Sequence, residues 1–346
     1  RPQPLPSTRK GIVLDFAFLF DHFTALTITG LAVGAIYGLV ALGYTMVYGV
    51  LQLINFAHSE VFMFGTFAVA WTVVFIHGTG QTTQGLTATI GLLVVCLVAA
   101  MLTSGAIALL IERVAYRPLI KKGAPKLIIL ISAIGASFAL AEFMGLRDKV
   151  AGWFGLQDKL SNYVAQARNP YSVPITINPH GVFTLVNYRV TDVDILVIVA
   201  AVLMMVGLDT FVRRTRLGRG IRAVAQDPES AALMGVNSTR VIRATFLIGG
   251  LMAGVAATLY MVKIGTTKQD AGFILGVKAF TAAVMGGIGN LRGALLGGLV
   301  LGVAENWGAA LWGDQWKDVV SFVLLILILL VRPTGILGES LGKARV

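Results

Sequence analysis

The chain has one cysteine, Cys96, among 346 residues, which excludes an intrachain disulfide and any cysteine-based zinc cluster. Charge is scarce: charged residues make up 13% of the chain, where a soluble domain carries roughly 25%. The four histidines, His22, His58, His77 and His180, stand far apart, so no pair has metal-ligand spacing. No G-x-x-x-x-G-K-[ST] run occurs, so the chain has no phosphate-cradling loop of its own, and nothing resembles a nucleophile elbow. These absences remove a soluble globular enzyme as the starting picture. Apolar sequence takes its place, with 56% hydrophobic residues and a mean hydropathy of +0.80. Forty glycines amount to about 12% of the chain against about 7% on average. In an apolar chain that excess suits close helix–helix contact and broken helices.

A membrane-crossing helix needs about 20 apolar residues. Such runs lie at 23–50, 58–77, 86–111, 127–146, 191–212 and 241–262. A glycine-interrupted stretch, 272–312, holds a short and a longer segment, and a last run, 316–331, ends at Arg332. The expectation is an all-α polytopic membrane protein of about 8–9 hydrophobic helices, with broken or re-entrant segments.

The formal net charge of +11 sits in clumps between these runs, a positive-inside pattern rather than a nucleic-acid face. Arg113, Arg117, Lys121, Lys122 and Lys126 crowd loop 112–126, and Arg213, Arg214, Arg216, Arg219, Arg222, Arg240 and Arg243 crowd loop 213–243. Both loops are expected in the cytoplasm. Alternation puts loop 147–190, the neutral loop 78–85 and the turn marked by Trp307, Trp312 and Trp316 outside, with Trp71 and Trp153 near the same interface. The C-terminus, with Lys343 and Arg345, falls inside and the N-terminus outside. An export signal or extracellular domain upstream of Arg1 is expected to account for that start. Residues 1–22, rich in proline at Pro2, Pro4 and Pro6, read as an extracytoplasmic linker or amphipathic segment. Residues 23–335 form the membrane domain, and 336–346 a cytoplasmic tail.

Residues 41–70 and the stretch from Gly276 to Gly302 echo one another. Each has a glycine-spaced apolar helix, a polar break at Asn55 or Asn290, then a second helix opening with small residues. Interrupted helices in corresponding positions of a repeat point to a transport site. The run Asn55-Phe56-Ala57-His58-Ser59-Glu60 reads either as a gate element touching a passing solute or as helix capping. Glu142, Lys278 and Glu305 are charges within or near apolar segments, where a lone charge is costly. A Lys278–Glu142 or Lys278–Glu60 pair would relieve that cost. Tyr37, Tyr44 and Tyr48 share one helical face, which Gly34, Gly38 and Gly49 equip to approach a neighbour.

In loop 213–243, Asp227-Pro228-Glu229 starts a helix well: Asp227 caps, Pro228 suits the first turn and Glu229 meets the positive dipole end. Gly235 stops it, and Asn237 or Ser238 can cap the next segment.

Glu229-Ser230-Ala231-x-x-x-Gly235 resembles the EAA-x-x-x-G loop of bacterial ABC-importer permeases, without its downstream Ile-x-Leu-Pro. Three longer segments, GYTMVYGVLQLINFAHSE (43–60), TRLGRGIRAVAQDPESAALMGVN (215–237) and AVMGGIGNLRGALLGGLVLG (283–302), resemble the LivH type of branched-chain amino acid ABC permease. The likeness runs from about Thr27 to Gly335, departing at Ser59, where those proteins more often have glycine. It implies a non-enzymatic permease of the bacterial cytoplasmic membrane, in contact with membrane lipid. The implied partners are a LivM-type second permease, two cytoplasmic ATPases that bind ATP-Mg, and an extracytoplasmic amino-acid-binding protein; no cofactor belongs to this chain. It also implies that Asp227, Pro228, Glu229, Ser230, Ala231, Gly235 and Arg222 couple to the ATPase. Tyr44, Tyr48, Asn55, His58, Ser59, Glu60, Glu142 and Asn290 are the candidate lining of the path. Urea or short amides are an alternative cargo, and an ion-coupled secondary transporter an alternative class.

Overall fold

The computed structural model describes residues 16–77, 86–164, 167–173, 180–186 and 188–338. The proline-rich start, loop 78–85, Lys343 and Arg345 lie outside the described residues. Seven helices among them are long and apolar enough to cross a membrane. In chain order, α1 (Phe16–Asp21) leads into α2 (Phe23–Leu51), α3 (His58–His77) and α4 (Leu86–Ile111). A π-helical turn, Glu112–Tyr116, joins α4 to α5 (Arg117–Lys121), and α6 (Lys126–Gly145) follows. The segment between spans holds α7 (Arg147–Trp153), α8 (Ser161–Val164) and strands β1 (Tyr171–Ser172), β2 (Gly181–Leu185) and β3 (Tyr188–Thr191). Then come α9 (Asp192–Arg214), α10 (Arg216–Gln226), α11 (Pro228–Leu233), α12 (Ser238–Ile264) and a short strand β4 (Thr266–Thr267) paired with β1. The chain ends with α13 (Ala271–Gly286), α14 (Leu291–Trp312) and α15 (Lys317–Val331). The fold is that of a polytopic all-α membrane protein. The small strand pairs are the addition that apolar periodicity did not announce, because they lie in polar connections.

Glycine sets the packing. α14 runs antiparallel to α2, and a Cβ on Gly34 would lie 2.4 Å from the Gly298 carbonyl oxygen. A Cβ on Gly302 would lie 2.3 Å from that of Gly30. Backbones meet at these points, the contact that small residues permit between membrane helices. Gly49 faces open space instead, so only Gly34 and Gly38 of that face serve the seam. On its other side α2 meets α12, where Gly43 and Gly249 face each other. Gly250 and Gly254 of α12 then press onto α4 at Gly105 and Met101. α3 and α12 are the most buried spans, while α6 and α9 turn Ile131, Phe138, Leu196 and Leu203 outward, as contact with lipid requires.

The two echoing segments cross over. α2 packs on α14, and α13 packs on α3, so each half lays its first helix against the second helix of the other. The second break, 287–290, is closed from the chain's end. The N–H groups of Ile336 and Leu337 donate to the Met285 and Gly286 carbonyls at 2.8 and 3.0 Å. Residues 336 and 337 thus pack against the end of α13 and supply donors to its last carbonyls.

Candidate functional site

The first break folds back on itself. α2 ends at Gln52 in the left-handed conformation, φ 50°, and residues 52–57 return so that α3 begins beside the middle of α12. There the His58 ring lies edge-on to Tyr44, with centroids 4.9 Å apart, and against the Gly43 backbone. Asn55 caps nothing with its side chain, because its Oδ1 accepts from the Tyr116 hydroxyl at 2.9 Å. The π turn carrying Tyr116 aims that ring inward, and a π turn inside an α-helix is a feature often found at functional sites. The Ser59 hydroxyl donates to the Phe56 carbonyl at 2.7 Å and to Glu60 Oε1 at 3.3 Å. Glu60 is 1% exposed. Its Oε1 also accepts from Ser137 of α6 at 3.1 Å. Its Oε2 has no hydrogen-bond partner and faces the first turn of α13, 3.0 Å from where a Gly272 Cβ would stand. α13 opens with glycines because no side chain fits: a Cβ on Gly276 would lie 2.3 Å from the Ser59 Cβ. Tyr44, Asn55, His58, Ser59 and Glu60 thus form one buried polar cluster joining α2, α3, α6 and α13.

The other expected lining residues stand apart from it. Tyr48 is half-buried near the end of α2. Glu142 is exposed and pairs with Arg168, and neither Glu142 nor Glu60 meets Lys278. Asn290 caps α14: its Oδ1 accepts from the N–H groups of Arg292 and Gly293 at 3.1 and 3.2 Å, and its amide donates to the Leu337 carbonyl at 2.9 Å. That side chain is committed to the second break, where freed backbone needs partners.

Lys278 pairs instead with Glu305 of α14 and, at 2.8 Å, with Asp318 of α15. The sequence marks Lys278 and Glu305 as costly charges near apolar segments but does not join them to each other. Lys278 and Glu305 sit 27 positions apart on the two helices of one hairpin, a spacing that carries no periodic signal.

On the side bearing the basic loops, α9 turns sharply into α10. A Cβ on Gly218 would lie 2.3 Å from the Val212 carbonyl oxygen, and Thr215 caps α10 through the Gly218 N–H at 2.9 Å. The arginine-rich stretch is thus an amphipathic helix with Ile221 and Val224 buried, a structure hidden by its glycines. Arg222 is exposed and reaches the Arg213 carbonyl at 3.4 Å. Asp227 caps α11, accepting from the Glu229 N–H at 3.0 Å and from the Ser230 hydroxyl. These donors hold the Asp227 carboxyl below the usual carboxylate range. Ala231 is tucked in, Glu229 and Ser230 are exposed, and Leu233 and Met234 are 87% and 85% exposed. Gly235, at φ 82°, ends the helix, and Asn237 caps α12 by accepting from the Arg240 N–H at 2.9 Å.

Among the described residues no group of three metal-ligating side chains converges. Long apolar helices and a buried polar break between them define a multi-pass helical membrane protein. A family model for the permease component of the branched-chain amino acid transport system matches residues 26–329, and the chain belongs to that family. The high-affinity branched-chain amino acid transport system permease protein BraD of Pseudomonas aeruginosa is 42% identical over 321 residues, 92% of this chain and 96% of that protein. The corresponding permease protein LivH of Escherichia coli is 39% identical over 323 residues, 92% and 97% of the two chains. The fructose import permease protein FrcC of Rhizobium meliloti shares 34% identity over 138 residues, 38% of each chain. No solved structure matches.

Proposed function

We propose that the chain is a permease subunit of an ATP-driven ABC importer for branched-chain or other apolar amino acids, in the bacterial cytoplasmic membrane with its N-terminus outside. The observation that carries this reading is α11, a capped helix on the arginine-rich side whose tip, Leu233 and Met234, is apolar and uncovered. Two adjoining uncovered apolar side chains at the end of a capped polar-loop helix are a surface that a protein partner would cover. Burying one such side chain against a partner contributes about 1.5–3 kcal/mol. The relatives are named for branched-chain amino acid transport, which favours that cargo over urea or short amides.

The mechanism follows from how α11 is mounted. Ala231 anchors it to the body, and α10 packs on α9, α12 and α2. A pull on α11 from a closing ATPase dimer therefore reaches α2 and α12, the helices that flank the polar break. Rocking these spans would expose the path to either side in turn. Few charged groups are needed along the path, because an external binding protein supplies most of the selectivity.

The test is a tagged pull-down from mildly solubilised native membranes. Walker-type ATPases and a second apolar subunit should co-purify. A chain that comes out alone or as a homo-oligomer, and moves solute without ATP, would make it an ion-coupled secondary transporter.

A further inference from the structure

A cleft of 380 Å³ lies between α2, α12 and α13, within the roughly 300–1,000 Å³ range of small-molecule sites. Its walls include Val33, Ile36, Tyr37, Tyr260, Ile274 and Leu275, and its polar end is Lys278. A second cleft of 180 Å³, between α13 and α15, shares Ile274 and Lys278 and adds Asp318. The Lys278 ammonium thus stands at the junction of two clefts, 5.8 Å from the Tyr37 ring centroid.

Its two ion pairs differ. Glu305 is 3% exposed and Lys278 12%, so that pair is enclosed, whereas Asp318 is 54% exposed. A half-exposed ion pair contributes little to stability, so the Lys278–Asp318 contact is cheap to open. Opened, it presents a cation and an anion side by side at the end of an apolar cleft, the complement of an apolar α-amino acid. Resting on the amino-acid-permease reading, we propose that the junction of the two clefts at Lys278 is an amino-acid site. The substrate carboxylate takes Lys278, its ammonium takes Asp318, and its branched side chain fills the space between Tyr37, Ile274 and Leu275. One ion pair is exchanged for two and no net charge enters the apolar region, which avoids the penalty of an unpaired buried charge. Thr266, Thr267 and Lys268 also line it, on the side that the arginine count assigns to the exterior, where a binding protein would deliver its load.

The experiment uses the whole transporter, with its ATPases and binding protein, in proteoliposomes. It reads ATP-driven leucine and alanine uptake together with ATP hydrolysis. Lys278→Met should lower leucine uptake roughly 10- to 100-fold, the range that loss of a charge-assisted contact implies. Lys278→Arg should restore most of it. Ile274→Trp, placed at a position 43% exposed and so harmless to folding, should fill the cleft. It should shift uptake from leucine toward alanine while the binding protein still stimulates ATP hydrolysis, a change of preference that a purely structural role would not produce. Wild-type leucine rates and leucine-to-alanine ratio in both Lys278→Met and Ile274→Trp would overturn the site and leave the permease reading standing. Should Lys278→Met fail to assemble, Ile274→Trp alone decides the matter in the same way. A wild-type transporter that moves no amino acid would overturn both.

Discussion

Two glycines of α2 make a quantitative pair. Gly34 touches the Gly298 backbone, so the Cβ of Gly34→Ala would lie 2.4 Å from a carbonyl oxygen. Ordinary contact begins near 3.4 Å, so the two helices must separate locally by about 1 Å, and such a gap forfeits a quarter to a half of the dispersion attraction across it. Overpacking of this kind costs about 1–3 kcal/mol. Gly49 has nothing within 4 Å of its Cβ position. Gly49→Ala should therefore gain about 0.5–1 kcal/mol, the helix-interior difference between the two residues. Thermal unfolding of the detergent-purified protein, followed by size-exclusion retention, compares the two variants directly. Gly34→Ala should melt lower than wild type and Gly49→Ala at or above it. Equal midpoints for the two variants would refute the α2–α14 seam as drawn.

Three further outcomes follow from the same contacts. Tyr116→Phe leaves Asn55 Oδ1 buried without its donor and should cost about 1–3 kcal/mol in an unfolding assay. Asp227→Ala should raise amide exchange across α11, since the acceptor for the Glu229 N–H is lost, while Asp227→Asn should keep most of the protection. Acidification acts on the same cap with a defined sign. The bound Asp227 carboxyl sits below its ordinary range, so the cap is intact above the unfolded carboxyl's pKa of about 3.9 and is lost as pH falls through the lower folded value. Exchange in α11 that stays constant down to pH 2 would contradict this.

Much of the architecture was legible because membrane crossing imposes length. Apolar runs at 23–50, 58–77, 86–111 and 191–212 match α2, α3, α4 and α9 within a few residues, since a helix that buries its own polar backbone must be apolar along its length. Local chemistry was legible too: Asp227, Gly235 and Asn237 cap or stop helices as their types dictate. Long-range partnerships were not. Asn55 reads from sequence either as a gate residue or as a cap, and Tyr116, 61 residues away, claims its oxygen; Asn290, at the corresponding break, caps α14. Nothing in the sequence set Glu305 and Asp318 beside Lys278, because helix packing, rather than spacing along the chain, makes that choice. α10 was hidden by Gly218 and Gly220, which lower helix propensity but let the chain turn tightly under α9.

The most direct test of the account is ATP-dependent leucine uptake by the reconstituted transporter, comparing wild type with the double variant Leu233→Asp, Met234→Asp. Both positions are uncovered in the isolated chain, so the substitutions should leave the fold intact. The account predicts wild-type uptake only when ATP is supplied on the ATPase side, and uptake in the variant reduced to background with ATPase association weakened. Uptake without ATP, or a variant that transports like wild type, would contradict it.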